Sequence, residues 1–193
     1  MRLEIASNKA VKLACTKYHY AGLVPIYRLA YSVFNSQGEF CGVIVYGGGV
    51  NPNMGVRYNL QQGQYLELVR VALNGKQEST SKAVALSIKL IKKNNPHVKL
   101  LISYADKGQN HYGTIYQATN WYYVEDIKSS GIDVFYKGKW GHPRGPSGRL
   151  SLEEFNKLPR RIKPGKRKYL YPLNEHFKEY CEKIKLPYEK KES

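Results

Sequence analysis

The sequence predicts an α/β fold, a mixed sheet with a parallel central pair and flanking helices, followed by a basic C-terminal extension. Three observations predict it. Two runs rich in β-branched and aromatic residues, 27–34 (YRLAYSVF) and 39–47 (EFCGVIVYG), flank Asn35-Ser36-Gln37-Gly38 and read as a β-hairpin. A strand, a helix and a second strand then follow at 65–73, 79–93 and 98–105, the pattern of a right-handed crossover between parallel neighbours. Finally, the charge is uneven. Residues 137–170 carry eleven Lys and Arg against Glu153 and Glu154, a net +9 of the chain's +16.

Each element has a local cause. In 65–73 (YLELVRVAL) strict alternation places Glu67, Val69 and Val71 on one face and Leu66, Leu68, Arg70 and Ala72 on the other. In 79–93 (STSKAVALSIKLIKK), Val84, Ile88 and Ile91 share one helical face while Lys82, Lys89 and Lys93 lie away from it. Asn94-Asn95-Pro96 ends that helix, because the residue before a proline is pushed out of the α region. The unbroken apolar run 98–105 (VKLLISYA) suits a strand covered on both faces. A short helix over 112–118 and a strand at 121–126 (WYYVED) complete a body of residues 1–136. The extension, 137–193, opens through GHPRGPSG, where Gly and Pro break regular structure, and Ser151-Leu152-Glu153-Glu154 reads as a helix start.

Composition narrows the function classes. A formal charge of +16 on 193 residues predicts a partner of dense negative charge, nucleic acid first. No apolar run is long enough to span a bilayer, and Glu4 and Lys9 interrupt the stretch a leader would need, so a cytoplasmic setting without membrane association is expected. Three cysteines without a Cys-x-x-Cys pair suit reduced thiols. Asp106 and His111 are too few ligands for a metal shell, and none is expected.

The chemistry-bearing residues gather where ligands collect in such sheets, beyond the carboxyl ends of parallel strands. Asp106 closes one strand there, and Asn74 follows the end of the other. Asp106 with His111 can accept a proton or hold an amine, or Asp106 can instead cap the helix that follows. Glu67 and Arg70 read equally as an ion pair to another element or as the anchor of an anionic group. Tyr18-His19-Tyr20 offers aromatic faces on which bases stack at roughly 1–3 kcal/mol each, although a tyrosine with a wet tip is also ordinary core. Gly47-Gly48-Gly49 lets backbone approach a ligand, but no phosphate-loop Lys-Ser/Thr follows it.

The order of hairpin, ELVRVAL strand, helix, strand ending at Asp106 and Gly113-x-x-Tyr116 is similar to the GNAT acyltransferase superfamily over about residues 25–135. Within that frame KYHYAGLVP, the glycine-rich hairpin exit, ELVRVAL and SYADKGQNHYGTIYQATNW together resemble the bacteriophage Mom-type DNA adenine-modification proteins. The resemblance implies a phage-encoded enzyme in the host cytoplasm. It would place a carbamoylmethyl group on adenine N6 of double-stranded DNA and shield it from restriction. It implies Tyr116 as general acid, with Asp106, Arg70 and His111 as catalytic partners. Tyr18, His19, Tyr20, Glu67, Ser103 and Trp121 would then line the base pocket. Ser79, Thr80 and Ser81 stand where acetyltransferases carry a glycine-rich pyrophosphate loop, which leaves the donor open between a coenzyme A thioester and an aminoacyl-tRNA. Arg160, Arg161, Lys163, Lys166, Arg167 and Lys168 are expected to hold phosphates. Two rivals stand beside this reading: an N-acetyltransferase of a protein or small amine, and a nucleic-acid-binding module without chemistry.

Overall fold

A computed structural model describes residues 1–49, 52–109, 112–129 and 131–188. The expected hairpin is β2 (Leu29–Phe34) and β3 (Phe40–Gly47), preceded by β1 (Arg2–Ile5) and α1 (Asn8–Lys17). β4 (Tyr65–Leu73), α2 (Thr80–Asn94) and β5 (Leu100–Asp106) form the crossover. α3 (Thr114–Gln117) and β6 (Tyr122–Ile127) follow. Seven strands make one sheet in the order β1-β2-β3-β4-β5-β10-β6, where β10 is Lys166–Pro172. Among the described residues the β4–β5 pair alone is parallel.

The helices cover both faces. α2 buries Ala83, Val84, Ile88 and Ile91 against Tyr46, Leu66, Leu68 and Leu101. On the other face α1 buries Val11, Ala14 and Cys15 against Val43, Val45 and Ala72. There α6 (Glu175–Ile184) brings Phe177 and Cys181 against Leu100, Ile102 and Leu170. All three cysteines are free and buried. Among the described residues no helix is long and apolar enough to cross a membrane.

Two sequence expectations are corrected. The C-terminal extension supplies β10, which inserts between β5 and β6 and hydrogen-bonds to both. Arg167 and Lys168 are therefore buried in the sheet, Lys168 beside Glu125 at 3.4 Å, and they do not face solvent phosphates. Second, β4 carries a bulge. Val45 pairs with Arg70 and Tyr46 with Leu68, so Val69 is the extra residue and the alternation flips after it. Leu66, Leu68, Val71 and Leu73 pack toward α2, and Arg70 joins Glu67 on the opposite side.

The extension also adds β8 (Lys139–Gly141) and β9 (Arg160–Ile162) to the two sides of β7 (Ile132–Tyr136), making a second, three-stranded sheet with β7 central. The short helices α4 (Arg144–Ser147) and α5 (Leu152–Asn156) lie between β8 and β9. Ser151 and Glu154 form the capping box that the Ser-Leu-Glu-Glu start predicts.

Candidate active site

β4 and β5 are in register from Tyr65–Leu100 to Leu68–Ser103 and then separate. Beyond that pair β4 stays with β3 and β5 with β10. The separation orphans the Leu68 carbonyl, and Ser103 answers it by donating its hydroxyl hydrogen at 2.8 Å. With that proton committed, the 2.8 Å contact between Ser103 Oγ and Tyr116 Oη has the tyrosine as donor. Ser103 is fully buried, so it positions the phenol and does not line a binding surface.

Tyr116 is half-buried and held by its neighbours. Its ring stacks on Tyr169 at 4.5 Å and meets Trp121 edge-on at 5.4 Å. Gly113, at φ 74°, caps the helix carrying it, and a Cβ there would lie 1.9 Å from the Tyr169 hydroxyl. Burial pushes the Tyr116 phenol up to about 12, with the Ser103 bond opposing and the Glu67 carboxylate adding to the shift. The group is protonated at neutral pH.

Two cavities meet at the splay. The first, about 730 Å³, is walled by His19, Tyr20, Asp106 and the 112–116 segment with Tyr116. The second, about 840 Å³, is walled by Pro25, Ile26, Gly49, Lys128, Lys163 and the 164–165 turn. Glu67, Val69, Arg70, Tyr104 and Lys166 line both and so form their common wall. Glu67 is buried, and its charge also raises the Tyr104 phenol, which burial takes up to about 12. Arg70 donates Nη1 to the Val69 carbonyl at 2.7 Å, while its buried Nε has no partner among the described residues. A half-buried guanidinium that lines two cavities is suited to an anionic or carbonyl group.

The structure thus brings Asp106, Tyr116, Arg70, Glu67, His19 and Tyr20 to one place. Asp106 accepts from the Gly108 amide at 2.8 Å and turns the chain at the β5 exit, so it does not cap α3. Burial raises the Tyr20 phenol, and the nearby Asp106 carboxylate adds to that shift. His19 stacks on Tyr20 at 4.3 Å and takes the Ala21 amide at Nδ1. Tyr18 instead follows α1 and packs into its core cluster. Trp121 is fully buried behind Tyr116, which corrects its expected role as a base clamp. His111 lies outside the described residues. Asn74 turns the chain after β4, accepting from Lys76 and donating to Phe40, and lines neither cavity. Lys166 and Lys163 were legible only as charge in the sequence, and Tyr104 and Lys128 gave no signal at all.

Ser79, Thr80 and Ser81 are spent locally. Ser79 caps α2 by accepting from the Lys82 amide at 3.2 Å and bonds Ser81 at 3.0 Å, while Thr80 accepts from Gln77. None lines either of the two cavities. The side chains of this turn are thus engaged with one another, and of the α2 N-terminal amides that of Lys82 is taken by the Ser79 hydroxyl.

The comparisons with known proteins agree with this frame. The chain resembles a Bacillus subtilis acetyltransferase solved with CoA, at TM-score 0.51 and 12% identity, over 90% of this chain and 99% of that one. It also resembles a Vibrio cholerae spermidine N-acetyltransferase SpeG mutant, at TM-score 0.57 and 5% identity, over 93% and 99%. These likenesses show a GNAT-type fold. In sequence it is 32% identical over 133 residues to the methylcarbamoylase mom of Escherichia phage Mu, covering 66% of this chain and 53% of that protein. The aligned region thus spans about half the length of that relative. The Mom family pattern matches residues 1–190, which takes in both strands of the splay, every wall of the two cavities and the inserted β10, and on that match the chain belongs to the Mom protein family.

Proposed function

We propose that this protein transfers a carbamoylmethyl group to the exocyclic N6 of adenine in double-stranded DNA, at the β4–β5 splay, and so protects phage DNA from restriction. The observation that carries the reading is a half-buried, protonated phenol held by Ser103 on the wall of the first cavity, which shares Glu67 and Arg70 with the second. Two reactants and an acid–base pair are what a group transfer needs.

Adenine N6 is a weak nucleophile because its lone pair is delocalised into the ring. As the N6–carbon bond forms, the nitrogen acidifies and its proton passes to a carboxylate of the site, Asp106 or Glu67. The bond from the transferred carbon to its carrier breaks with its electron pair on the carrier atom. The Tyr116 hydroxyl protonates that atom. Arg70 steadies the group in transit from the wall that the two cavities share. Inside a duplex N6 is out of reach of such a site, so the nucleotide is displaced at a cost of a few kcal/mol. The net charge of +16 supplies sequence-independent attraction to phosphate. The same charge disfavours a polyamine acceptor, since Arg70, Lys128, Lys163 and Lys166 line the cavities.

The test is mass spectrometry of nucleosides from plasmid DNA co-expressed with the protein. Wild type is expected to yield adenine carrying the added group; Asp106→Asn and Glu67→Gln identify the carboxylate that takes the proton. Unmodified DNA from the wild-type culture would overturn the reading.

A further inference from the structure

The β8-β7-β9 sheet lies outside the transferase machinery described so far. On one side of it Phe135 and Trp140 pair across strands at 5.3 Å, with Arg161 over Trp140 at 4.6 Å and bridged to Asp133 at 3.7 Å. Both rings remain more than a third exposed, as do Ile132 and Ile162. An isolated three-stranded sheet keeping two aromatic rings wet beside fixed guanidinium groups is matched to a ligand with apolar sugar edges and dense negative charge. Arg160 is exposed on the same strand, anchored to Asn156 and lying over Phe155.

The sheet is also contiguous with one cavity and not the other. β9 ends at Ile162, and the next residues, 163–166, are the wall of the second cavity, where Lys163 and Lys166 face Lys128. The first cavity receives Lys166 alone from this cationic set and otherwise presents Tyr20, Asp106 and the 112–116 segment. Tyr116 lines only the first cavity, whereas Glu67 lines both.

We propose that the three-stranded sheet and the second cavity form one nucleic-acid path. The DNA backbone lies over Arg161 and Lys163, and the displaced nucleotide enters between Lys128 and Lys163 toward Glu67. This rests on DNA being the acceptor, as proposed above. It follows that the donor occupies the first cavity, beside the Tyr116 acid, and that Glu67 is the carboxylate within reach of both reactants.

The experiment uses the full chain and a duplex whose single photoreactive 8-azidoadenine sits opposite an abasic site, so that displacement costs little. After irradiation the cross-linked peptides are mapped by mass spectrometry. Cross-links in 127–129 or 163–166 are expected; cross-links confined to 112–116 overturn the path while leaving DNA as the acceptor. In parallel, Lys163→Glu is expected to weaken duplex binding at least tenfold and to lower the salt slope by about 1. Lys82→Glu, an exposed position on α2, is expected to change neither. Equal losses from the two variants overturn the path. A wild-type chain that neither binds nor cross-links the duplex sinks the DNA reading itself.

Discussion

Tyr116 shows what one proton demands of its surroundings. Its hydroxyl points at Ser103, whose own hydrogen is held by the Leu68 carbonyl, so the phenol is oriented by a chain of two hydrogen bonds ending on a strand backbone. Tyr116→Phe keeps the stack on Tyr169 and removes only the acid. Modification is expected to fall roughly 10²- to 10⁴-fold, the usual range for a positioned acid, with the thermal midpoint nearly unchanged. Retained activity measured by nucleoside analysis would remove Tyr116 from the chemistry. Trp121 makes the opposite case. It is fully buried in contact with Tyr116 and Tyr171, so Trp121→Ala is expected to cost about 3–5 kcal/mol in urea unfolding. A variant of unchanged stability that had lost only DNA affinity would restore it as a clamp.

Among the elements, those with a strong local period were legible and those defined by distant partners were not. β4 and α2 fall within a residue of their sequence bounds, because alternation and an i, i+4 apolar face are intrinsic to the segment. β10 was hidden, since KRKYLYP reads as a basic tail until a neighbouring sheet supplies partners on both sides. The bulge at Val69 was equally hidden, because nothing in YLELVRVAL marks the extra residue that turns Arg70 to the side of Glu67. The site was thus half legible: its residue types and strand ends could be read, but the second cavity depends on loops brought together by β10. Removal of residues 137–193 is therefore expected to yield an unfolded or aggregated body, not a folded domain with weakened DNA binding; a cooperative thermal transition in that fragment would contradict the insertion. At α2, Ser79→Ala removes the side-chain cap and is expected to cost about 1 kcal/mol of stability with no change in donor dependence. A raised KM for donor at unchanged stability would return Ser79 to the binding surface.

At the scale of the whole molecule, two titrations oppose each other above neutrality. The chain repels itself at pH 7 with a net +16, and that strain eases as lysines deprotonate toward the isoelectric point near 9.7. Against this stand phenols that burial holds above their ordinary value: Tyr104 and Tyr116 at about 12, with Tyr46 and Tyr58 also raised. An unfolded tyrosine ionises near pH 10, whereas these folded ones still carry their protons there. Between pH 10 and 12 the unfolded chain has therefore released protons that the native state retains, and stability must fall as pH rises. Each such phenol contributes up to about 1.4 kcal/mol per pH unit in that window. Below pH 10 both states are protonated and the contribution is intact. The stability maximum is expected near pH 9–10, higher than the pH 5–8 usual for proteins, followed by a steep alkaline decline. Urea midpoints at pH 7, 9, 10 and 11 and constant ionic strength would show it. A curve already falling between pH 7 and 9 would mean charge repulsion is not what limits the fold. One that stayed flat from 10 to 11 would mean the phenols around the splay are not buried as described.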